Sequence, residues 1–417
     1  MCDFIPGEVL VSYHKEDPAA KAMMAGIRDK RMPRVEYAGA LEDRLKTMEL
    51  RVRQGLELEF CRLLVPVGEE GFNSDRLQLH YKRELSKAIG QGKILESDFE
   101  KGIFERSHNH FTVSPNSLLT PCFTFGGSQH DSYKQMFRWP GPSASTKKIL
   151  IADSGIASGD GFNIAAQKNF VDWGLLNQAK DDHPQQHGTC IAEIIRDLCP
   201  QALLEVYKVV DSRNRASEWD TMAALIADCG AQVINLSLAF GLQDQKCAYC
   251  GRESHGSRSA VFENIINQIT RNHDIIIVGA AGNQGKTELA YPARFSKVLA
   301  VGAINLCKSL AKYSNHSEND HQGGRHNRVF VLPGGERDLA EGAIPTEWVG
   351  TSNGNNICGT SFAAAYATAI IAHLWSKPQH VRKNSEQMID YLAMNADKQS
   401  IPHYQYFDHG QGLMLAV

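Results

Sequence analysis

The start of this chain, Met1-Cys-Asp-Phe-Ile-Pro-Gly-Glu-Val, has neither the basic lead nor the apolar core of a Sec-type leader. Nor does any apolar run approach the ~20 residues that a spanning helix needs. The most apolar stretch, residues 362–375, is interrupted by Tyr366, Thr368 and His373. An excess of one charge is also missing: 44 Lys and Arg are interspersed with 47 Asp and Glu, for a formal net charge of -3. That balance removes the basic footprint of a nucleic-acid binder and the acidic tail of an interaction segment. The ten cysteines are scattered and suggest no disulfide framework. We therefore expect a cytoplasmic location, no nucleic-acid or membrane partner, and thiols that act mostly as small buried apolar groups.

What remains is ordinary globular composition, 42% hydrophobic and 22% charged over 417 residues, enough for one large domain and a smaller one. Residues 1–112 read as a small α+β unit. Residues 8–13 and 58–67 are strand-like, and a stripe of Leu77, Leu79, Tyr81, Leu85 and Ile89 predicts a helix over residues 73–89. Asn73 or Ser74 would cap that helix, Gly90 and Gly92 would stop it, and a further β segment is expected over residues 101–113. Residues 113–146 are rich in Pro, Gly and Ser and read as a linker. From 147 to 417 apolar strands alternate with amphipathic helices. Strands are expected over 149–152, 204–210, 233–238, 275–280 and 298–304. Helices are expected over 187–198, 219–229, 260–270 and 363–375. That alternation predicts an α/β fold, a mostly parallel sheet covered by helices on both faces.

Four segments carry side chains suited to acyl transfer. Asp153 ends an apolar strand in Ile-Ala-Asp153-Ser-Gly; alone, this reads more readily as a turn than as a catalytic carboxylate. His187 opens a helical pattern in His187-Gly-Thr-Cys-Ile-Ala, where a lone histidine proves little. Asn283, in Ala-Ala-Gly-Asn283-Gln-Gly, is either a turn residue or an amide donor. Ser361, in Gly-Thr-Ser361-Phe-Ala-Ala-Ala, is either an N-cap or a nucleophile at the positive end of a helix. Together they supply one group for every role: a nucleophile, a base to take its proton, a carboxylate to orient the base, and an oxyanion donor. Their order, Asp, His, Asn, Ser, has the triad members in subtilisin order.

These four segments resemble the signature segments of the subtilases, serine peptidases with the subtilisin-like fold. The resemblance runs from about residue 147 to 378. It implies Asp153, His187 and Ser361 as catalytic residues, Asn283 as oxyanion donor, and a polypeptide substrate. Asn235-Leu-Ser-Leu-Ala-Phe-Gly241 resembles the strand lining the specificity pocket, which makes Ser237, Leu238 and Ala239 substrate-binding residues; Ala280, Ala281 and Gly282 would form another wall. Residues 217–220 are a further expected edge. Ile5-Pro-Gly-Glu-Val-Leu-Val and the strand–helix–strand pattern after it resemble the ferredoxin-like propeptides of some subtilases. That implies an N-terminal chaperone and inhibitor whose last strand lies in the cleft.

Three departures matter. Ala365 stands where the family usually has proline, and Cys190 where many relatives have a second histidine. Residues 191–204 run from helix to strand without the insertion that forms a calcium loop in secreted relatives, so no metal and no cofactor is expected there. Cys247-Ala-Tyr-Cys250, with His255 nearby, offers only half the ligands of a closed zinc site. Two rival readings stay open: an effector protease held inactive by its own N-terminal domain until triggered, and a non-catalytic scaffold of the same fold.

Overall fold

The computed structural model describes residues 4–13, 50–52, 61–66, 111–121, 124–125, 130–158, 161–171, 178–227, 230–240, 259–317, 328–339, 345–351 and 356–417. Its contacts define two compact units. One comprises Met1–Leu118, Ser217–Ala223 and Gln243–Ile265; the other comprises Leu119–Ala216, Ala224–Leu242 and Ile266–Val417.

In the first unit, β1 (Phe4–Tyr13), β2 (Leu50–Val52), β3 (Cys61–Pro66) and β4 (Phe111–Pro121) pair in the order β4-β1-β3-β2. All are antiparallel, with Val9 opposite Leu64 on one side and Pro115 on the other. β1 and β3 lie where the sequence predicts strands, over residues 8–13 and 58–67. The helix expected over 73–89 falls outside the described residues. β4 runs eight residues beyond the expected β segment. Ser114, Pro115, Asn116 and Ser117 interrupt its apolar residues, so its composition reads as loop while its backbone makes ladder bonds.

Downstream come β5 (Thr124–Phe125), α1 (His130–Met136), β6 (Lys148–Asp153), β7 (Ile164–Asn169), α2 (His187–Leu198), β8 (Leu203–Lys208), β9 (Ala216–Ser217) and α3 (Glu218–Ala227). These are followed by β10 (Val233–Leu236), β11 (Leu238–Phe240), α4 (Ala260–Asn272), β12 (Ile276–Ala280), β13 (Val298–Ile304) and β14 (Val329–Pro333). The last elements are β15 (Val349–Gly350), β16 (Asn356–Cys358), α5 (Thr360–Ser376), α6 (Ser385–Asn395) and α7 (Tyr406–His409). The segment read as a linker thus holds the end of β4, β5 and α1. Tyr133 and Phe137, four residues apart and fully buried, anchor α1.

Seven strands form one parallel sheet in the order β14-β13-β12-β10-β6-β8-β7. Buried on both faces, they read as unbroken apolar runs: every residue of β13 is buried, as are residues 149–153 of β6. β8 lies on one side of β6 and β10 on the other, so the chain switches direction at β6, and ligands of such sheets gather at the strand ends around that switch. α5 packs across β10, β12, β13 and β14 and against α2. All of α5 except His373 and Ser376 is buried, which is why it shows no polar stripe. α2 ends at Leu198 and β8 begins at Leu203, with four residues between them. Among the described residues, no helix is long and apolar enough to cross a membrane.

Candidate active site

Asp153 is the last residue of β6 and is fully buried. Its Oδ1 accepts the Ser154 backbone N–H (2.7 Å) and, at the same distance, Nδ1–H of His187. A carboxylate on Nδ1 fixes the tautomer, so Nε2 is the basic nitrogen of this ring. His187 can open α2 here because backbone meets backbone. A Cβ on Gly188 would stand 2.4 Å from the Gly155 carbonyl oxygen, and one on Gly155 (φ +109°) 2.3 Å from that of Ala179. Gly188 N–H donates to Ser154 Oγ (2.8 Å). Thr189 locks the next position: its N–H and Oγ1 donate to Asp181 Oδ2 (3.1 and 2.7 Å), and Oγ1 accepts from Ala157 N–H (2.9 Å).

Three residues that sequence reasoning missed support this corner. Asp181 holds Thr189. Lys208, buried at the end of β8, donates to the Ser154 carbonyl (2.9 Å) and to Asp182 Oδ1 (2.6 Å). His183 is buried as well; burial holds its imidazole below the usual range, and His187 lowers it further. Only burial and long-range contact identify them. In sequence they are ordinary polar residues, two before the His187 motif and one at the end of an apolar strand.

Ser361 is the second residue of α5, one place inside the helix. Its hydroxyl donates to the Ser237 carbonyl oxygen (3.3 Å), and the Ser237 hydroxyl answers to the Ser361 carbonyl (3.1 Å) and to Asn235 Oδ1 (3.0 Å). Asn235 Nδ2 in turn donates to Thr368 Oγ1 (3.1 Å), so β10 and α5 are tied by buried polar groups. The ring of His187 lies 5.5 Å, centroid to centroid, from that of Phe362. The hydrogen bond from Ser361 to His187 Nε2 is not formed in this state. Such bonds commonly tighten only with substrate bound.

Asn283 follows β12 on a loop. Its Oδ1 accepts from Thr360 N–H (3.0 Å) and Thr360 Oγ1 (2.8 Å). Because a backbone N–H can only donate, the amide orientation is fixed and Nδ2 must point away. That Nδ2 is buried and has no hydrogen-bond partner. Asn315 braces the loop: its Oδ1 accepts from Gln284 and Lys286 N–H (2.9 and 3.1 Å), and its own N–H donates to the Gly282 carbonyl (3.0 Å). Gly282, at φ +107°, has no room for a side chain, since a Cβ would lie 2.5 Å from Asn315 Nδ2.

The residues predicted to line the pocket lie at the ends of two neighbouring strands and on the segments that follow them. Ser237 separates β10 from β11, which holds Leu238 and Ala239; Ala280 ends β12, and Ala281 and Gly282 lead to Asn283. The expected single strand over 233–238 is thus broken at Ser237, and β11 pairs instead with residues 119–121. Residues 217–220 belong to the other unit. Cys190 and Ala365 are fully buried. Cys247, Cys250 and His255 lie outside the described residues.

The sequence profile of the subtilase family matches residues 149–413, well over half of the chain. The chain belongs to the subtilase family. Similar subtilases include the "Thermophilic serine proteinase" of Bacillus sp. (strain AK1), 26% identical over 316 residues, which are 67% of this chain and 68% of that one. "Subtilisin BL" of Lederbergia lenta is 27% identical over 183 residues, 42% of this chain and 62% of that protein. The "Cell wall-associated protease" of Bacillus subtilis (strain 168) is 30% identical over 264 residues, 59% of this chain and 25% of that protein. This subtilase therefore spans less than two thirds of the latter two. The crystal structure of a lanthipeptide protease has the same fold, with a TM-score of 0.52 and 19% identity, covering 68% of this subtilase and 90% of that chain.

Proposed function

We propose that this subtilase is a serine endopeptidase working through an acyl-enzyme. Ser361 attacks the substrate carbonyl as His187 Nε2 takes its proton; Asp153 keeps Nδ1–H in place and stabilises the imidazolium. The tetrahedral oxygen is held by the Ser361 N–H, at the first turn of α5, and by Asn283 Nδ2. The observation that carries this reading is the Asn283 amide. Its oxygen is engaged by Thr360 and its N–H2 is buried with nothing to donate to. A donor left unmet in the resting state is what an oxyanion site requires, and one such donor is worth roughly 3–4 kcal/mol in the transition state.

Fluorophosphonate labelling tests it. The reagent should modify Ser361, and Ser361→Ala should lose both label and peptidase activity while keeping its melting temperature. Peptidase activity surviving in that variant would overturn the assignment, and a well-folded wild type that neither labels nor hydrolyses would favour the scaffold reading. One observation supports a second layer, in which the chain's own N-terminal part occupies the cleft as an inhibitor. Leu119, Thr120 and Pro121 pair antiparallel with Phe240, Ala239 and Leu238, the strand expected to bind substrate.

A further inference from the structure

Asn283 carries its donor on a side chain, so whatever fixes the main chain of that residue also aims the amide. Thr360 donates to the side-chain oxygen, and Asn315 accepts from the N–H groups of Gln284 and Lys286. The Asn283 carbonyl oxygen is met from a third direction. Nη2 of Arg337, four residues past the end of β14, donates to it at 3.5 Å.

The surrounding chain explains why a guanidinium stands there. Gly335, at φ +83°, turns the backbone where a Cβ would lie 2.6 Å from the Glu347 carbonyl oxygen. Glu336 pins the turn: its Oε1 accepts the N–H groups of Arg337 and Lys312, each at 3.0 Å. The guanidinium lies over the Tyr313 ring, 5.2 Å from its centroid. Tyr313 is fully buried; its hydroxyl donates to the Gly334 carbonyl (2.7 Å), and its own carbonyl accepts the Gly285 N–H (2.7 Å). One residue thus carries the arginine on its ring and the oxyanion loop on its backbone. Leu339 closes the same contact, since a Cβ on Gly285 would lie 2.9 Å from its Cδ1. Arg337 Nε is buried with no hydrogen-bond partner, so the guanidinium is held by the ring and by its Nη2 end, against Asn283.

We propose that Arg337 is a positioning residue for the oxyanion donor: by holding the Asn283 main chain it keeps Nδ2 aimed at the tetrahedral oxygen. It acts through Asn283 and not on the substrate. The inference rests on the peptidase reading above. A charged donor restrains a main-chain carbonyl more firmly than a neutral one does. Because the oxyanion exists only in the tetrahedral state, a loosened Asn283 lowers kcat and leaves substrate binding alone. Thr360 still grips the side-chain oxygen once Arg337 is gone. The loss is therefore about tenfold, smaller than the roughly 10²–10³-fold of a deleted donor.

The test is a double-mutant cycle in the full-length chain: Arg337→Met, Asn283→Ala and the two combined, with Arg337→Lys as the conservative variant. Steady-state peptide hydrolysis and the rate of fluorophosphonate labelling are measured, and thermal melts establish that each variant is folded. Arg337→Met should lower kcat about tenfold at unchanged KM and slow labelling in step. Arg337→Lys, which keeps a charged donor, should recover most of that loss. In the Asn283→Ala background Arg337→Met should cost nothing further, because no amide is left to aim. A loss that persists in that background gives Arg337 an action of its own and overturns the inference. Wild-type kcat in Arg337→Met, or a loss confined to KM, overturns it too and leaves the peptidase reading standing. Should Arg337→Met not fold, Arg337→Gln takes its place in the cycle under the same criteria. No label and no hydrolysis in the wild type removes the peptidase reading, and the inference with it.

Discussion

The two halves of the proposed site, acid–base and oxyanion, are built by different means. On the acid–base side backbone touches backbone: Gly155 and Gly188 let the end of β6 and the start of α2 meet, and Asp153, Ser154 and Thr189 close the contact with hydrogen bonds. On the oxyanion side, side chains hold a loop. Thr360 grips the Asn283 oxygen, Asn315 braces the turn, and Nδ2 is left over. The first half is geometrically complete before substrate arrives. The second carries a buried, unsatisfied donor, a resting cost of about 1–3 kcal/mol that is recovered only where negative charge appears. In the proposed mechanism, orientation is the business of one half and differential binding of the transition state that of the other.

The largest effect should come from the orienting half. Asp153→Asn keeps the size of the side chain but favours the wrong His187 tautomer, and should lower kcat by roughly 10⁴-fold. Steady-state kinetics on a peptide substrate decide it; a loss under tenfold would mean that Asp153 does not orient the base. Asn283→Ala should cost about 10²–10³-fold in kcat with little change in KM, because the lost donor acts only on the developing oxyanion. A rise in KM at constant kcat would instead make Asn283 a ground-state contact. The double variant sharpens the comparison. If the halves act separately, the two losses multiply; a double loss no greater than the larger single one would show that they work as one unit.

Much of the acid–base half is legible in the sequence, and the oxyanion half less so. α2 begins and ends where its pattern predicts, at His187 and Leu198, and β13 matches its apolar run at both ends. Both are regular segments whose signal is local. Asn315, by contrast, acts on a turn 31 residues away, and the Ser237–Ser361 pair spans 124 positions, so neither has a local signature. β14 and β7 escape the sequence reading: β14 follows the polar stretch 318–327, and β7 is an edge strand with its burial only partial. Asn283 can be picked out by its glycine-flanked motif. That its amide nitrogen is left without a partner depends on Thr360, 77 residues on, and no pattern reports that.

The glycine contact can be tested without chemistry. Gly188→Ala inserts a methyl group where the Gly155 carbonyl already stands at 2.4 Å from the ideal Cβ position, and the atoms nearest that position are all backbone. The end of β6 and the start of α2 must separate, which should cost about 1–3 kcal/mol of stability. Thermal melts would show the loss, and peptidase activity should fall with it because His187 moves with Gly188. An unchanged melting temperature with full activity would mean that the two backbones are not pressed together, and the contrast between the halves would weaken.

The smallest effect lies at the other end of α5. His373 bonds through Nδ1 to Ser143 Oγ (2.8 Å) and lies against the Trp139 ring. Burial, with Lys377 adding to it, pushes its pKa down to about 4. In the unfolded chain the imidazole titrates near 6.5. Between those values the unfolded state binds the extra proton, so stability should decline as pH falls from about 6.5 to about 4 and level off below. His373→Phe should flatten that part of the melting curve against pH while leaving the activity of the distant Ser361 unchanged at neutral pH. Identical slopes in the two proteins would remove His373 from the account; a change in activity at neutral pH would mean that the far end of α5 is coupled to the nucleophile, and that the division of labour between the two halves of the site extends along the whole helix.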